Sequence, residues 1–502
     1  MYPLNKLYDA VVEVDERVTI ETFAEDPEPQ PVDITQDPQL RMGLTGEPVR
    51  IIKSPDLDMV RRDLHEPWNQ GYRGIAVAML HSYTFPQHEL EVAQEARKFG
   101  FRVAASFELQ SMAKLVPCSQ SAVADAYLTP VTDEYLTKFR KGLKGNLEDE
   151  QAQKLFLNQS DGGLTSFTKF GGLRGILSGP AGGVVGIAKT CYDPISATPL
   201  LGFDMGGTST DVARYAGSLE HIFESTIAEV TIQTPHLDIN TVAEGGGSIL
   251  SWENSLFKVG PSNARADPGP ACYGRGGPLT VTDASFLLGR IIPELDARPL
   301  NLDIVKFKFT ELTDAINKDK DGDVPLSIED VALGFLCIAN ASMARPIRML
   351  SEGRGFETSA HDLACFGGAG GQHAVEVAQA LGIHRVLIPR YSSILSAYGM
   401  ALADVVVENQ EPDSSTFDPL AIKHLEDRLN RLQNQGLEGL ISQGFSPEQV
   451  EHEMFLNMRY QGSDTALMVE SRVTYLGSAR HLSTATNKSL ASHNRETYWW
   501  MM

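Results

Sequence analysis

The 502 residues contain no run of eighteen apolar side chains; the longest, "GIAVAML" at Gly74–Leu80, has the length of one buried strand, so no segment reads as a membrane-spanning helix. Paired cysteines are missing too. Cys118, Cys191, Cys272, Cys337 and Cys365 are widely spaced without a C-x-x-C, which offers no metal framework and fits a reducing cytosol. Positive charge is scarce: 43 Lys and Arg face 65 Asp and Glu, a formal net charge of -22 with no basic run, which argues against a nucleic-acid partner. The opening "MYPLNKLYDAVVEVDERV" has neither the basic stretch nor the apolar core of a secretory leader. A soluble, cytosolic protein with no membrane or nucleic-acid partner is expected.

What is present is enough chain for two to four domains. Helix candidates at Pro55–Glu66 and in "PQHELEVAQEARKFG" alternate with "GIAVAML" and "FRVAASFEL", as in an α/β layer. Ser327 followed by Asp330 reads as a capping box opening a long apolar helix to Leu350, with a kink expected at Pro346. Leu425, Leu429, Leu432, Leu437 and Leu440 give Pro419–Gln443 an amphipathic face, read as packing rather than as a partner-binding helix. "NKDKDGDVPLSIED" resembles a calcium loop but has Ile328 where a Glu is required, and reads as a solvated turn. The span from Ser471 to Met502 has no sustained period and reads as a disordered tail.

Glycine clusters carry the functional signal. "PLLGFDMGGTSTDVARYAG", Pro199–Gly217, lacks the third glycine of a dinucleotide fingerprint and the Gly-Lys-Ser/Thr of a Walker loop. It reads as strand, turn, strand. Gly206 and Gly207 would turn backbone N–H groups toward an anion, Thr208, Ser209 and Thr210 would add hydroxyl donors, and Asp204 and Asp211 could hold Mg²⁺; a plain Gly-Gly hairpin is the competing reading. In "ILSGPAGGVVGIAKT", Ser178 is a plausible N-cap with Pro180 in the first turn; either an anion meets this helix end, or Gly182, Gly183 and Gly186 permit close packing. "DLACFGGAGGQHAVEVAQALGI" places Gly367, Gly368, Gly370 and Gly371 between a strand and a helix, as in many nucleotide sites and in ordinary α/β turns. The stretch from Pro235 to Ala284 is too rich in Gly and Pro for long regular elements. It holds Glu244, Gly245, Gly246, Gly247, Ser248 and Asp267. Cys272 there reads as a small buried thiol rather than a nucleophile, and His236 with Asp238 could begin a metal site that lacks an evident third ligand.

Together "GFDMGGTSTDVARY", "TVAEGGGSILSW", "ADPGPACYGRGGPLTVTDA", "LFLNQSDGG", "LSGPAGGVVG" and "FGGAGGQHAVEVAQALGI" resemble the A-type half of the hydantoinase/oxoprolinase family, over roughly residues 1–470. The resemblance implies an α/β, actin-like ATPase with two ribonuclease-H-like lobes and ATP and Mg²⁺ in the cleft. It implies an incomplete first lobe, because the family's initial glycine-threonine phosphate loop has no counterpart here, and a B-type half or subunit as partner. Residues 1–107 would be the rest of the first lobe, 108–405 the ATPase domain, 406–470 the start of a further α/β segment and 471–502 the atypical tail. It implies ATP-driven opening of 5-oxo-L-proline to L-glutamate, a step of glutathione metabolism, impaired in so short a chain. Hydantoin hydrolysis, acetone-type carboxylation and a non-catalytic assembly module are the alternatives, and a homo-oligomer is expected when the protein is complete. Asp204, Asp211 and Glu244 would be catalytic, Asp204 and Asp211 would hold the metal, and residues 206–210 would grip phosphate. Gly367–Gly371 would form the adenosine-side loop, and Gly245–Ser248 with Asp267 would face the lactam.

Overall fold

A computed structural model of the chain describes all residues except 1–6, 24–25, 27–31, 144–154, 228, 293–298, 321–323, 420, 461–462, 464–465, 477–478, 485–498 and 502. Near the N-terminus the expected alternation forms. Strand Gly74–Val77 pairs in parallel with Arg102–Ala105, and helix Gln87–Phe99 makes the crossover. The preceding helix spans Leu57–Asn69, three residues beyond the Glu66 predicted from sequence, and starts where the Asp56 carboxylate accepts from the N–H groups of Asp58 and Met59. Apolar side chains repeating on its inner face, Val60 and Leu64, pack with Val92, Ala96 and Phe101. A three-stranded antiparallel sheet, Arg17–Ile20, Pro48–Lys53 and Leu40–Met42, stands beside this layer.

The larger sheet has five strands in the order Ile239–Val242, Thr210–Tyr215, Leu200–Met205, Asp362–Phe366, Val386–Leu387. The first three run antiparallel; the last two join Leu200–Met205 in parallel. Burial on both faces explains the near-continuous apolar run "LLGFDM". Leu201, Phe203 and Met205 face the core built on helix Ile328–Leu350, with Phe335 and Met343. Leu200 points the other way, with Ile187 and Leu395, and by the period of two Asp204 lies on that second face.

On this second face helix Ser178–Thr190 meets helix Leu395–Leu402 almost backbone to backbone. A Cβ on Gly399 would stand 1.9 Å from the Gly182 carbonyl oxygen, and one on Gly182 would stand 2.7 Å from that of Ser396. Close packing, not an anion, therefore accounts for Gly182 and Gly186. Leu177 occupies the N-cap, without a side-chain bond, in place of the expected Ser178. The capping box at Ser327 and Asp330 forms as read, and the helix continues through Pro346 to Leu350. Asn317 bridges the ends of the solvated turn by accepting from Leu326 N and donating to Leu326 O; residues 321–323 of that turn lie outside the described ones.

After Leu402 the chain returns to the N-terminal layer. Val406 N donates to Leu164 O at 3.0 Å, and Arg428 of helix Ala421–Ile441 donates to Leu44 O at 3.2 Å. Beyond Ser471 the described residues differ from the expected disordered tail: Ala466–Leu476 pairs with Ala479–Thr484, and Trp499–Met501 pairs with Phe455–Tyr460. Ladder hydrogen bonds satisfy the backbone there without requiring a strong apolar period. The remainder of 471–502 lies outside the described residues.

Candidate phosphate site

The Pro199–Gly217 stretch is an antiparallel hairpin in which Asp204 stands directly opposite Asp211 and Met205 opposite Thr210. Gly206 N donates to Ser209 O at 3.0 Å and closes the four-residue connection. Gly207 and Thr208 are exposed at its tip. Neither glycine carries a positive φ, and a Cβ on Gly207 would meet nothing within 4 Å. Turn geometry and packing thus leave Gly207 unexplained. A face kept free of side chains suits the approach of a ligand to backbone N–H groups.

The second loop docks onto the first. Gly246 N donates to Gly206 O at 3.0 Å and Gly247 N to Gly207 O at 2.7 Å, while Asn263 Nδ2 reaches the same Gly207 oxygen at 3.0 Å. Here glycine is required by contact: a Cβ on Gly245 would stand 2.7 Å from the Gly207 carbonyl carbon. Ser248 Oγ accepts from Gly245 N at 3.0 Å. The Thr210 hydroxyl is buried and donates to Glu244 O at 2.7 Å, so it ties the loops together and is not free to bind phosphate as the sequence suggested. Asp267 is exposed on the loop that follows.

The third loop closes behind Asp204. Gly367 has φ of 80°, and a Cβ there would overlap Asp204 Oδ1 at 2.3 Å. Ala369 N donates to Met205 O at 2.9 Å, and Gly370 lies against Cys365 Sγ. Gly368 and Gly371 resemble Gly207: a Cβ on either would meet nothing within 4 Å, and neither has a positive φ. The fold therefore brings Asp204, Asp211, Gly206, Gly207, the 245–247 turn and the 367–371 loop together.

Charge at this junction is unbalanced. Burial, with the Asp211 charge adding to it, pushes Asp204 up to about 6, against one hydrogen bond from Ser396 Oγ at 3.4 Å. Burial also raises Asp211, which accepts from Thr241 Oγ1 at 2.5 Å. Two half-buried carboxylates facing each other favour a bound cation or a proton between them. Glu244 is raised by burial and eased by Ser342 and Arg345, and its Oε2 is buried without a hydrogen-bond partner.

Several of these residues escape a reading by motif. Ser342 and Arg345 sit on the long apolar helix, where nothing in the hydrophobic period marks them. Asp283 was detectable: "TVTD" at Thr280–Asp283 is a capping-box pattern, and its carboxylate accepts from Ala271 N, Cys272 N and Thr280 N, fixing the irregular loop. Cys272 is buried, as expected of a small packing thiol. His236 and Asp238 do not assemble a metal site. Asp238 is engaged by Arg354, His236 Nδ1 lies 2.6 Å from Thr234 O, and no group of three potential ligands occurs among the described residues. No helix among those residues is long and apolar enough to cross a membrane.

Residues 119–409 match the hydantoinase/oxoprolinase family and residues 2–100 its N-terminal region. The chain belongs to the hydantoinase/oxoprolinase family. Within that family it is 52% identical over 474 residues to a 5-oxoprolinase of Saccharomyces cerevisiae, covering 92% of this chain and 36% of the relative. It is 44% identical to a 5-oxoprolinase of Dictyostelium discoideum, covering 93% of this chain and 38% of that protein. The chain thus spans little more than a third of these relatives. Among solved structures, the ATP-dependent caprolactamase of Pseudomonas jessenii superposes with a TM-score of 0.71 at 26% identity, over 84% of this chain and 61% of that one. A nucleotide-free acetone carboxylase superposes at 0.69 with 22% identity, over 92% of this chain and 68% of that one, a likeness of fold.

Proposed function

We propose that this chain carries the nucleotide-phosphate part of an ATP-dependent enzyme that opens 5-oxo-L-proline to L-glutamate. The observation that carries the reading is the Asp204–Asp211 hairpin, whose unencumbered Gly207 tip is held between two further glycine loops. The 5-oxoprolinase relatives support the substrate, and the caprolactamase likeness supports ATP-driven lactam chemistry. Two antiparallel neighbours followed by two parallel strands support a ribonuclease-H-like, actin-like lobe.

In this reading the backbone N–H groups near Gly207, with Thr208 and Ser209, bind phosphate oxygens. Asp204 and Asp211 hold Mg²⁺, for which their uncompensated charge fits, and Gly367–Gly371 lies on the adenosine side. Glu244, held among Ser342 and Arg345, is placed to hold or move a proton, and Gly245–Ser248 with Asp267 forms the wall facing the lactam. ATP, when bound, supplies the phosphoryl group that makes the lactam carbon attackable, a change an unstrained amide needs. A B-type half or subunit completes hydrolysis, and the cytosol is the proposed location. Glutamate release from 5-oxo-L-proline, measured with and without ATP in this chain plus a B-type partner, tests the proposal. Release that is lost in Asp204→Asn is expected. Turnover of a hydantoin or of acetone, with none of 5-oxo-L-proline, would replace the substrate.

A further inference from the structure

Helix Ile328–Leu350 meets the ends of two of the three glycine loops. Asn340 Oδ1 lies 2.7 Å from His373 Nδ1, just past the third loop, and Ser342 hydrogen-bonds the Glu244 carboxylate at the start of the second. Arg345 follows Ser342 by three residues and so shares its face of the helix.

Arg345 is uncommitted. It is exposed, and its side chain makes no hydrogen bond or ion pair among the described residues. Its charge reaches Glu244 and partly offsets the effect of burial there, without a bond between the two. Neighbouring arginines are engaged: Arg348 donates to Ala380 O at 2.8 Å, and Arg290 donates to Gln372 O at 2.8 Å and pairs with Glu376. Asp204, Asp211 and Glu244 leave the junction acidic, which repels a polyphosphate unless cations offset them. A metal ion at Asp204 and Asp211 offsets two of these charges, and beside Glu244 the positive charge is that of Arg345.

Arg265 is another exposed guanidinium near the phosphate tip, two residues beyond the Asn263 that reaches Gly207 O. It stands on an irregular loop at a φ of 55°. Arg345 stands on a 23-residue helix fixed by the buried side chains of Met343, Ala344 and Ile347. A binding group is held more precisely on such a helix than on a loop.

We propose that Arg345 binds the terminal phosphate of the nucleotide, a contact that ADP cannot make. Its planar guanidinium offers two parallel N–H donors to two phosphate oxygens. The inference rests on the nucleotide reading above and adds to it the residue that tells a triphosphate from a diphosphate.

Calorimetric titration of the full 502-residue chain in Mg²⁺, with ADP or with the β,γ-imido analogue of ATP, tests the proposal. The parent should bind the analogue at least about tenfold more tightly than ADP, and Arg345→Gln should bring that ratio to within about twofold of one by weakening the analogue alone. Arg345→Lys should give an intermediate ratio, because the charge survives without the fork. Arg265→Gln should keep the parent ratio. The melting temperature of Arg345→Gln should stay within about 2 °C of the parent, since an exposed and unbonded side chain is replaced. Arg345→Gln should still lose the ratio in a Glu244→Gln background, which separates contact with the ligand from an effect passed through Glu244. A parent ratio near one, an unchanged ratio in Arg345→Gln, or a loss that disappears in the Glu244→Gln background would overturn the proposal while leaving nucleotide binding in place. A parent that binds neither ligand would overturn the nucleotide reading and this inference together.

Discussion

Asp204 concentrates the electrostatics of the site in one side chain. Its carboxyl is raised to about 6 by burial and by the Asp211 charge, so the folded chain holds a proton that the unfolded chain has already released by pH 5. Stability from this group is present at pH 4 and is lost as pH rises through 6. Thermal melts of the parent against Asp204→Asn, from pH 4 to 7, should show the parent falling relative to the variant across that window. Mg²⁺ and ATP should reverse the order near neutrality, since a cation replaces the proton. Glycine residues divide in the same way. Gly207→Ala should leave stability within about 1 kcal/mol of the parent, because the new methyl meets nothing, yet weaken ATP binding. Gly367→Ala forces a methyl onto Asp204 at a φ of 80° and should cost about 2–4 kcal/mol by denaturant titration.

Among the elements, the helix pair Ser178–Thr190 and Leu395–Leu402 shows what glycine-rich sequence leaves open. Gly182 and Gly186 accept the backbone of a helix some two hundred residues away, and Gly399 returns the approach. Gly399→Ala should therefore destabilise the chain by several kcal/mol, about 3 or more, and lower its melting temperature without any direct contact with the phosphate loops. Local pattern could not separate this cluster from the one at Gly367, because both read as glycines beside a helix. By contrast the capping box at Ser327, the strand–helix–strand alternation of "GIAVAML" and "FRVAASFEL", and the hairpin on either side of Gly206 were all legible. In each of them nearest neighbours in sequence fix the outcome.

Across the whole molecule, Arg428 ties the returning C-terminal helix to the first layer. It donates to Leu44 O and Pro412 O and meets Asp413, a carboxylate only 1% exposed. Arg428→Met would strip the arginine from that buried carboxylate, leaving it only His424 Nε2 at 3.0 Å and the N–H of Ser415 among the described residues, and should cost about 2–4 kcal/mol in equilibrium unfolding. The amino-acid order by itself determined the alternation of the first layer, the capping box at Ser327, the acidic balance, the hairpin carrying Asp204 and Asp211, and the family resemblance, because period, turn residues and motif spacing are properties of short stretches. Tertiary structure decided which glycines face open space and which face another backbone. It also turned the Thr210 hydroxyl inward, matched Asp238 to Arg354 and buried the Gln110 amide without a hydrogen-bond partner among the described residues. Those outcomes depend on atoms brought together from distant parts of the chain, and on the desolvation that only packing imposes.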